Sequence, residues 1–194
     1  AGFFLGIIGY IVCLRKGLKA ERSSILIAIG ICVALLAQVG SQMNAVSSVP
    51  AIHNISTDTF DPPQFDTLVA VRQAQGANPL TYDAGVLAEQ QAEAYPWVRT
   101  LTTSMAPSNV LNACVSLLED MGIEVVNVDS EKGIVEATDT TFWFGFKDDV
   151  VVRVRPAPDG GGSIVDVRSV SRVGQSDLGV NAERIGTILA GLRG

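Results

Sequence analysis

The sequence predicts an α+β protein in which an N-terminal transmembrane helical hairpin is followed by a four-stranded antiparallel sheet with two helices on one face. Three observations support this prediction. Two apolar runs stand at the beginning of the chain, with a short basic segment between them. Residues 105–194 have helix-like apolar spacing at both ends and four strand-like runs in between. The net charge of −6 divides into +3 for residues 1–46 and −9 for the remainder.

The apolar runs, residues 1–14 and 24–40, are predicted to form two transmembrane helices. The second run, with its flanking residues, reaches the roughly 20 residues that cross the hydrocarbon core of a bilayer. The first would span only about 21 Å and is expected to continue a helix that begins earlier. A signal peptide with an apolar core at 25–37 is the competing interpretation, but another apolar run ahead of it is atypical of signal peptides.

Basic residues between the two runs predict the orientation of the hairpin. All four Lys and Arg residues of the first 46 residues lie in the loop at 15–23, and loops of this kind stay in the cytoplasm. We therefore expect a protein of the bacterial inner membrane whose C-terminal domain is periplasmic. Small residues four positions apart let membrane helices approach closely, and here the candidates are Gly2, Gly6, Gly30 and Ala34.

Residues 47–104 are predicted to be an extended, Pro-rich tether. The adjacent prolines Pro62 and Pro63 favour an extended path, and one short helix is expected at 83–94, ended by Pro96. Scattered apolar residues, among them Phe65 and Trp97, indicate that the tether lies against the domain that follows it.

Residues 105–194 are predicted to form the α+β domain. Pro107 suits a first helical turn, and apolar residues then recur with the spacing of one buried helix face as far as Met121. Strands are predicted at 123–128, 133–138, 150–155 and 163–171, and they pair as two hairpins. The last helix is expected to begin at Asn181, as its N-cap, and to end at Arg193.

One face of this sheet is predicted to be apolar and the other to be in water. Alternate valines of the last two strands would point inward, under the helices. The charged residues that alternate with them include four anion-binding candidates, Arg153, Arg155, Arg168 and Arg172. The alternative for these four is a solvated face with cross-strand ion pairs, which contribute little to stability.

The most unusual segment holds four aromatic residues within five positions: Phe142, Trp143, Phe144 and Phe146. A turn between strands leaves such side chains in water unless something covers them. They are candidates for a contact patch that binds a partner protein or the membrane interface. The alternative is that the rings fold under the tether as a second small core.

Catalytic and cofactor motifs are weak in this sequence. The segment from Gly174 to Gly179 resembles the G-x-S-x-G nucleophile elbow but misses its spacing, so a hydrolase that uses Ser176 is the least favoured interpretation. His53 is the single histidine, and metal or triad chemistry needs partners for it. We therefore expect no catalytic residues, no metal and no cofactor. The acidic C-terminal part argues against binding to nucleic acid.

Three segments carry a resemblance to a known family: IHNISTDTFDPPQF at 52–65, ATDTTFWFGFKDDVVVRVRP at 137–156 and VDVRSVSRVGQSDLGVNAERI at 165–185. The chain closely resembles the bacterial domain-of-unknown-function 1499 family over essentially all of residues 47–194. The resemblance implies membrane helices ahead of the domain, but it brings no established catalytic residues. The arrangement of helix, four strands and helix is also similar to the helix-grip modules of envelope lipoproteins, which is a likeness of fold only.

These observations favour a non-catalytic, membrane-anchored accessory or scaffold subunit that docks on a larger integral membrane protein complex, for example a respiratory or photosynthetic one. The lipid bilayer is the second expected partner. The alternative is a periplasmic binding module for an envelope lipid, a glycan or a small anion. Such a module would use the arginine face or a pocket beside the aromatic residues.

Overall fold

The computed structural model describes residues 2–17, 19–46 and 50–193. The chain divides into two compact units, Ala1–Val49 and Pro50–Gly194. The described part of the first unit is helical, and the second unit is α+β.

The first unit consists of two helices, α1 (Gly2–Lys16) and α2 (Lys19–Val46). A Cβ atom on Gly6 of α1 would lie 3.1 Å from Cγ1 of Ile29 in α2. The missing side chain of Gly6 therefore allows the two helices to approach each other closely.

The other small residues of the predicted hairpin contact differ from Gly6. Among the described residues, no atom lies within 4 Å of the Cβ position of Gly30, and Ala34 is exposed. Gly6, and not Gly30, thus brings the helices together. The surroundings of Gly2 lie outside the part of the chain whose side chains are described.

The prediction of a transmembrane hairpin is wrong, because within the described residues no helix is both long enough and apolar enough to cross a membrane. Helix α1 has 15 residues, which span about 22 Å against a hydrocarbon core of roughly 30 Å. Helix α2 is longer, but its uninterrupted apolar run at 25–37 spans only about 20 Å. Leu18 of the predicted loop at 15–23 and residues 47–49 of the predicted tether lie outside the described residues.

The second unit contains a six-stranded antiparallel sheet, not the four-stranded sheet that we predicted. The strands follow the order β1-β6-β5-β4-β3, and β2 also pairs with β6. Their bounds are β1 (Asn54–Ser56), β2 (Leu101–Thr103), β3 (Glu124–Asp129), β4 (Ile134–Thr140), β5 (Lys147–Pro156) and β6 (Ser163–Ser171).

The two additional strands come from the segment that was predicted to be a tether. In β1, Asn54 pairs with Val170, and in β2, Leu101 pairs with Val165, so the two short strands share the outer edge of β6. The Pro-rich segment is therefore part of the sheet.

Four helices belong to the second unit: α3 (Thr67–Ala74), α4 (Ala84–Ala94), α5 (Pro107–Asp120) and α6 (Val180–Gly191). Helix α4 begins where the sequence predicted, because the side chain of Asp83 accepts a hydrogen bond from the backbone N–H of Gly85. Helix α6 begins at Val180, ahead of the predicted N-cap Asn181. The carboxylate of Asp177 accepts hydrogen bonds from the backbone N–H groups of Gly179 and Asn181.

The main core lies between one face of the sheet and the helices α5 and α6, as the sequence predicted. The apolar face of each helix packs on valines of β5 and β6 that are almost inaccessible to water. The central members of this core are Val110, Cys114, Leu118, Val150, Val152, Val165, Val167, Ile185 and Ile188.

The opposite face of the sheet is covered by residues 57–82, which we call the strap. Helix α3 lies in the strap, and its N-terminus contacts Glu136 of β4. The buried carboxylate of Glu136 accepts hydrogen bonds from the backbone N–H groups of Asp66, Thr67 and Leu68. This carboxylate supplies the acceptor that the first turn of a helix lacks. A second small core, formed by Phe65, Leu68, Ile134, Val151 and Val170, lies under the strap.

Candidate functional site

The four aromatic residues singled out in the sequence lie in the turn between β4 and β5, and none of them is buried. The exposed fractions are 90% for Phe142, 84% for Trp143, 79% for Phe144 and 52% for Phe146. The alternative that these rings form a small core under the tether is therefore wrong. Apolar side chains this large are expensive to leave in water, and a group of them on a surface marks a place where something binds.

The backbone of this turn, residues 141–146, is closed by its own hydrogen bonds, and we call it the aromatic turn. The N–H of Thr141 donates to the carbonyl of Phe146 at 2.9 Å, and the N–H of Gly145 donates to the carbonyl of Thr141 at 3.0 Å. The hydroxyl of Thr141 accepts from the N–H of Phe146. Gly145 has φ +64°, a conformation that suits a residue without a Cβ atom.

Contacts between the rings order the side chains of the aromatic turn. Phe142 and Trp143 meet edge to face, with centroids 5.2 Å apart. Phe144 and Phe146 are stacked, with centroids 5.6 Å apart. The turn therefore presents two ring pairs on a defined backbone.

A second loop adds exposed apolar side chains at the same end of the sheet. The N–H of Arg172 donates to the carbonyl of Lys147, so the chain that follows β6 leaves beside the aromatic turn. Val173, Leu178 and Val180 in this loop are about half exposed. Leu178 has φ +57°, which is strained for a residue with a Cβ atom. We call the aromatic turn and residues 173–180 together the aromatic end.

Sequence reasoning missed this second loop. Its signal was present, since Gly174 and Gly179 enclose an apolar residue in a short polar segment. The sequence predicts that Asp177 and Ser176 in this segment cap or shape a turn, and Asp177 does accept hydrogen bonds from the backbone N–H groups of Gly179 and Asn181.

Charged groups around the aromatic end are paired within the protein. Arg184 of α6 binds Asp139 at 2.7 Å and Asp148 at 2.8 Å. The carboxylate of Asp177 accepts hydrogen bonds from the backbone N–H groups of Gly179, just before α6, and of Asn181 in α6. Lys147 donates to the hydroxyl of Thr140 at 2.8 Å. The aromatic end therefore carries little net charge, although the chain as a whole is acidic.

The chain enters the second unit at the same end. The carbonyl of His53 accepts hydrogen bonds from the N–H of Ser171, the last residue of β6, and from the side chain of Asn181. Residues 50–53 therefore lie at the end of the sheet that carries the aromatic turn.

The face of the sheet that carries the anion-binding candidates was predicted to be in water. In the structure, the strap covers this face. Arg168 is the clearest example, since only 1% of this residue is accessible. Its guanidinium donates to the side chain of Asn54 and to the carbonyls of Pro63 and Leu80. Burial lowers the pKa of Arg168 to about 10, and repulsion from Arg72 acts in the same direction.

Arg172 and Arg72 share one buried carboxylate. Arg172 binds Asp149 at 2.7 Å, and Arg72 of α3 binds the same side chain at 2.6 Å. Thr138 donates a further hydrogen bond to this carboxylate. These contacts fasten the strap to the sheet and satisfy the charge of Arg172.

Arg153 and Arg155 lie at the other end of the strand. Both bind Asp166, and Arg153 also binds Asp58 and Asp61 of the strap. Arg153 lines a cavity of about 350 Å³ together with Phe65 and Lys132. Anion binding by these arginines stays a prediction, and the structure assigns each of them a partner within the protein.

The residues weighed for chemistry, His53 and Ser176, each contact backbone groups of the loop that precedes α6. The hydroxyl of Ser176 accepts a hydrogen bond from the N–H of Leu178, and the ring of His53 lies 3.4 Å from the carbonyl of Gln175. Among the described residues, His, Cys, Asp and Glu side chains form no group of three that could hold a metal ion.

The model of a family described as "Protein of unknown function (DUF1499)" matches residues 54–192, which run from β1 to the end of α6. No curated protein matches the chain.

Proposed function

Since the chain belongs to the DUF1499 family, whose description names no activity, we propose a function from geometry: a non-catalytic accessory domain that docks on a larger assembly through its aromatic end. The exposure of Phe142, Trp143, Phe144 and Phe146 carries this proposal.

The energetic argument is that these rings gain from being covered. Covering one side chain of this size contributes about 1.5–3 kcal/mol by removing apolar surface from water. Four rings in one turn are comparable to the few aromatic residues that dominate the binding energy of many protein interfaces.

The aromatic turn is also suited to binding because it is ordered in advance. Its backbone hydrogen bonds and its ring pairs hold the side chains in place. A surface that is already ordered loses little conformational entropy when it binds, so more of the gross interaction energy remains as affinity.

The exposed apolar side chains of the first unit also favour an apolar host. Many aliphatic side chains of α1 and α2 are exposed, among them Ile8, Leu14, Ile27, Ile31, Leu35 and Leu36. A helix that is apolar on several sides is normally covered by protein or lipid. The host that we propose is therefore an integral membrane protein complex, and the proposal does not depend on a membrane span in this chain.

The test compares the native assembly of two variants. Phe142, Trp143, Phe144 and Phe146 are all replaced by Ser in the gene of the organism that makes the protein. The control replaces Phe60, which is 97% exposed in the strap, by Ser. Membranes are extracted in a mild detergent, and the size of the particle that contains the chain is measured on a native gel.

We expect the wild-type chain and the Phe60→Ser variant to migrate in a particle much larger than the chain, and the fourfold variant to migrate alone. Migration of all three as a lone chain, or of all three in the same large particle, contradicts the proposal.

A further inference from the structure

We propose that the aromatic turn is seated in the headgroup region of a lipid bilayer whose headgroups carry no net charge. This inference rests on the proposed function, because docking on a host in the membrane brings the aromatic end to the bilayer, and it assigns the aromatic turn to the lipid beside the host. A groove in the host protein is the competing occupant.

The side chains of the turn suit this boundary. Trp is enriched where bilayer and water meet, because its ring is apolar and its N–H binds water or headgroups. Trp143 stands beside three phenylalanines, whose rings have no polar group and can enter the acyl region more deeply. Lys147 follows directly in sequence, and its ammonium group donates to the hydroxyl of Thr140.

The backbone of the turn meets part of the requirement of a lipid environment, where water cannot satisfy polar groups. The N–H groups of Thr141, Gly145 and Phe146 all donate within the turn. The tip can therefore leave water without breaking these three hydrogen bonds.

Charge selects the type of lipid. Residues 47–194 carry a net charge of −9, so an anionic leaflet repels the domain as a whole. At the aromatic end, Arg184 binds both Asp139 and Asp148, so it offsets one of these two negative charges and leaves the other. A surface of zwitterionic headgroups fits an apolar tip with one adjacent lysine.

The experiment uses the fluorescence of Trp143 in the full chain. Trp97→Phe leaves Trp143 as the only tryptophan. The variant is mixed with vesicles of phosphatidylcholine that carry bromine on the acyl chains close to the headgroup, because bromine quenches only tryptophans that it touches. The matched control is Trp143→Phe, which keeps Trp97, a residue that lies against Gly186 of α6. Circular dichroism verifies that both variants are folded.

We expect the emission of Trp143 to shift to the blue and most of it to be quenched, whereas Trp97 keeps its emission. In an equal mixture of phosphatidylcholine and phosphatidylglycerol, quenching of Trp143 should fall. Stronger quenching in the mixture overturns the choice of an uncharged surface.

Emission of Trp143 that stays as in water, or a blue shift without quenching, overturns the lipid inference. If the fourfold Ser variant has meanwhile lost its host on the native gel, the docking proposal survives and a protein groove is the occupant. If the native gel shows no dependence on the turn either, both proposals fail.

Discussion

The guanidinium of Arg72 lies 2.6 Å from the carboxylate of Asp149, and both side chains are almost completely buried. Arg72 belongs to α3 in the strap and Asp149 to β5, so this pair fastens the strap to the sheet. The strap covers the face that would otherwise compete as a binding surface. The four neighbouring aromatic side chains of the aromatic turn stay exposed.

Replacing Arg72 by Met should loosen the strap. Asp149 keeps Arg172 as its partner, but it loses one of two buried cations, and we expect the free energy of unfolding to fall by about 3 kcal/mol. Native-state hydrogen exchange of the β5 amides measures this loss in the second unit alone. The control is Lys132→Met, which removes an exposed ion pair with Asp66 and should change exchange little. Equal effects of the two substitutions would contradict the structural role of Arg72.

The same carboxylate makes the strap sensitive to acid. Burial alone would raise the pKa of Asp149, but hydrogen bonds from Arg172, Thr138 and Arg72 outweigh it and hold the pKa below its ordinary value of 3.8. The stabilisation is therefore complete above that value and is lost as the pH falls through the lower, folded pKa.

The Asp149→Asn variant tests this pH dependence. It should be less stable than the wild type near neutral pH, and the difference between the two should shrink as the pH falls below about 4. Hydrogen exchange over a pH series provides the comparison. A difference that stays constant through the acid range would show that the charge of Asp149 contributes nothing.

Arg168 should not tolerate replacement by Lys. Its planar guanidinium donates to Asn54, Pro63 and Leu80 in different directions, and a single ammonium group cannot reach all three. Leaving buried acceptors without donors costs about 2 kcal/mol, so we expect faster proteolysis within the strap. Arg155→Lys, at a partly exposed position, is the control and should be cleaved at the wild-type rate. Identical cleavage of both variants would refute this account.

The aromatic turn should contribute to binding and not to folding. Phe142→Ser is expected to change the free energy of unfolding by no more than about 0.5 kcal/mol, because the ring is in water. Val151→Ala, in the small core under the strap, should cost roughly 2 kcal/mol. Urea unfolding followed by circular dichroism compares the two. A large loss of stability in Phe142→Ser would mean that the ring has a structural partner.

The local elements of the second unit could be predicted because their signals are local. The apolar spacing after Pro107 predicted α5, and Asp83 predicted the start of α4. Strands β3 to β6 have alternating or continuous apolar residues and are joined by turns rich in Gly and Asp. Strands β1 and β2 have only three residues each and are formed by pairing with β6. Three residues are too few for a strand pattern that could be recognised in the sequence.

The burial of the arginine face could not be predicted for a related reason. The alternation that places Arg168 and Arg172 on one side of β6 is the same whether that side faces water or protein. Whether this side of β6 is buried depends on contacts with Arg72, Pro63 and Leu80, which are remote from β6 in sequence. The transmembrane prediction treated residues 24–40 as one apolar segment because they carry no charge. The polar residues on either side of 25–37 limit the uninterrupted apolar run to those positions.

The central claim is that the aromatic end is covered in the native state, and hydroxyl-radical footprinting tests it most directly. Membranes from cells that make the protein and the purified chain are exposed to radicals under the same conditions, and oxidation is measured by mass spectrometry. We predict that Trp143 is oxidised several-fold more slowly in the native membranes than in the purified chain, while Phe60 is oxidised equally in both. Equal oxidation of Trp143 in the two samples would contradict the claim.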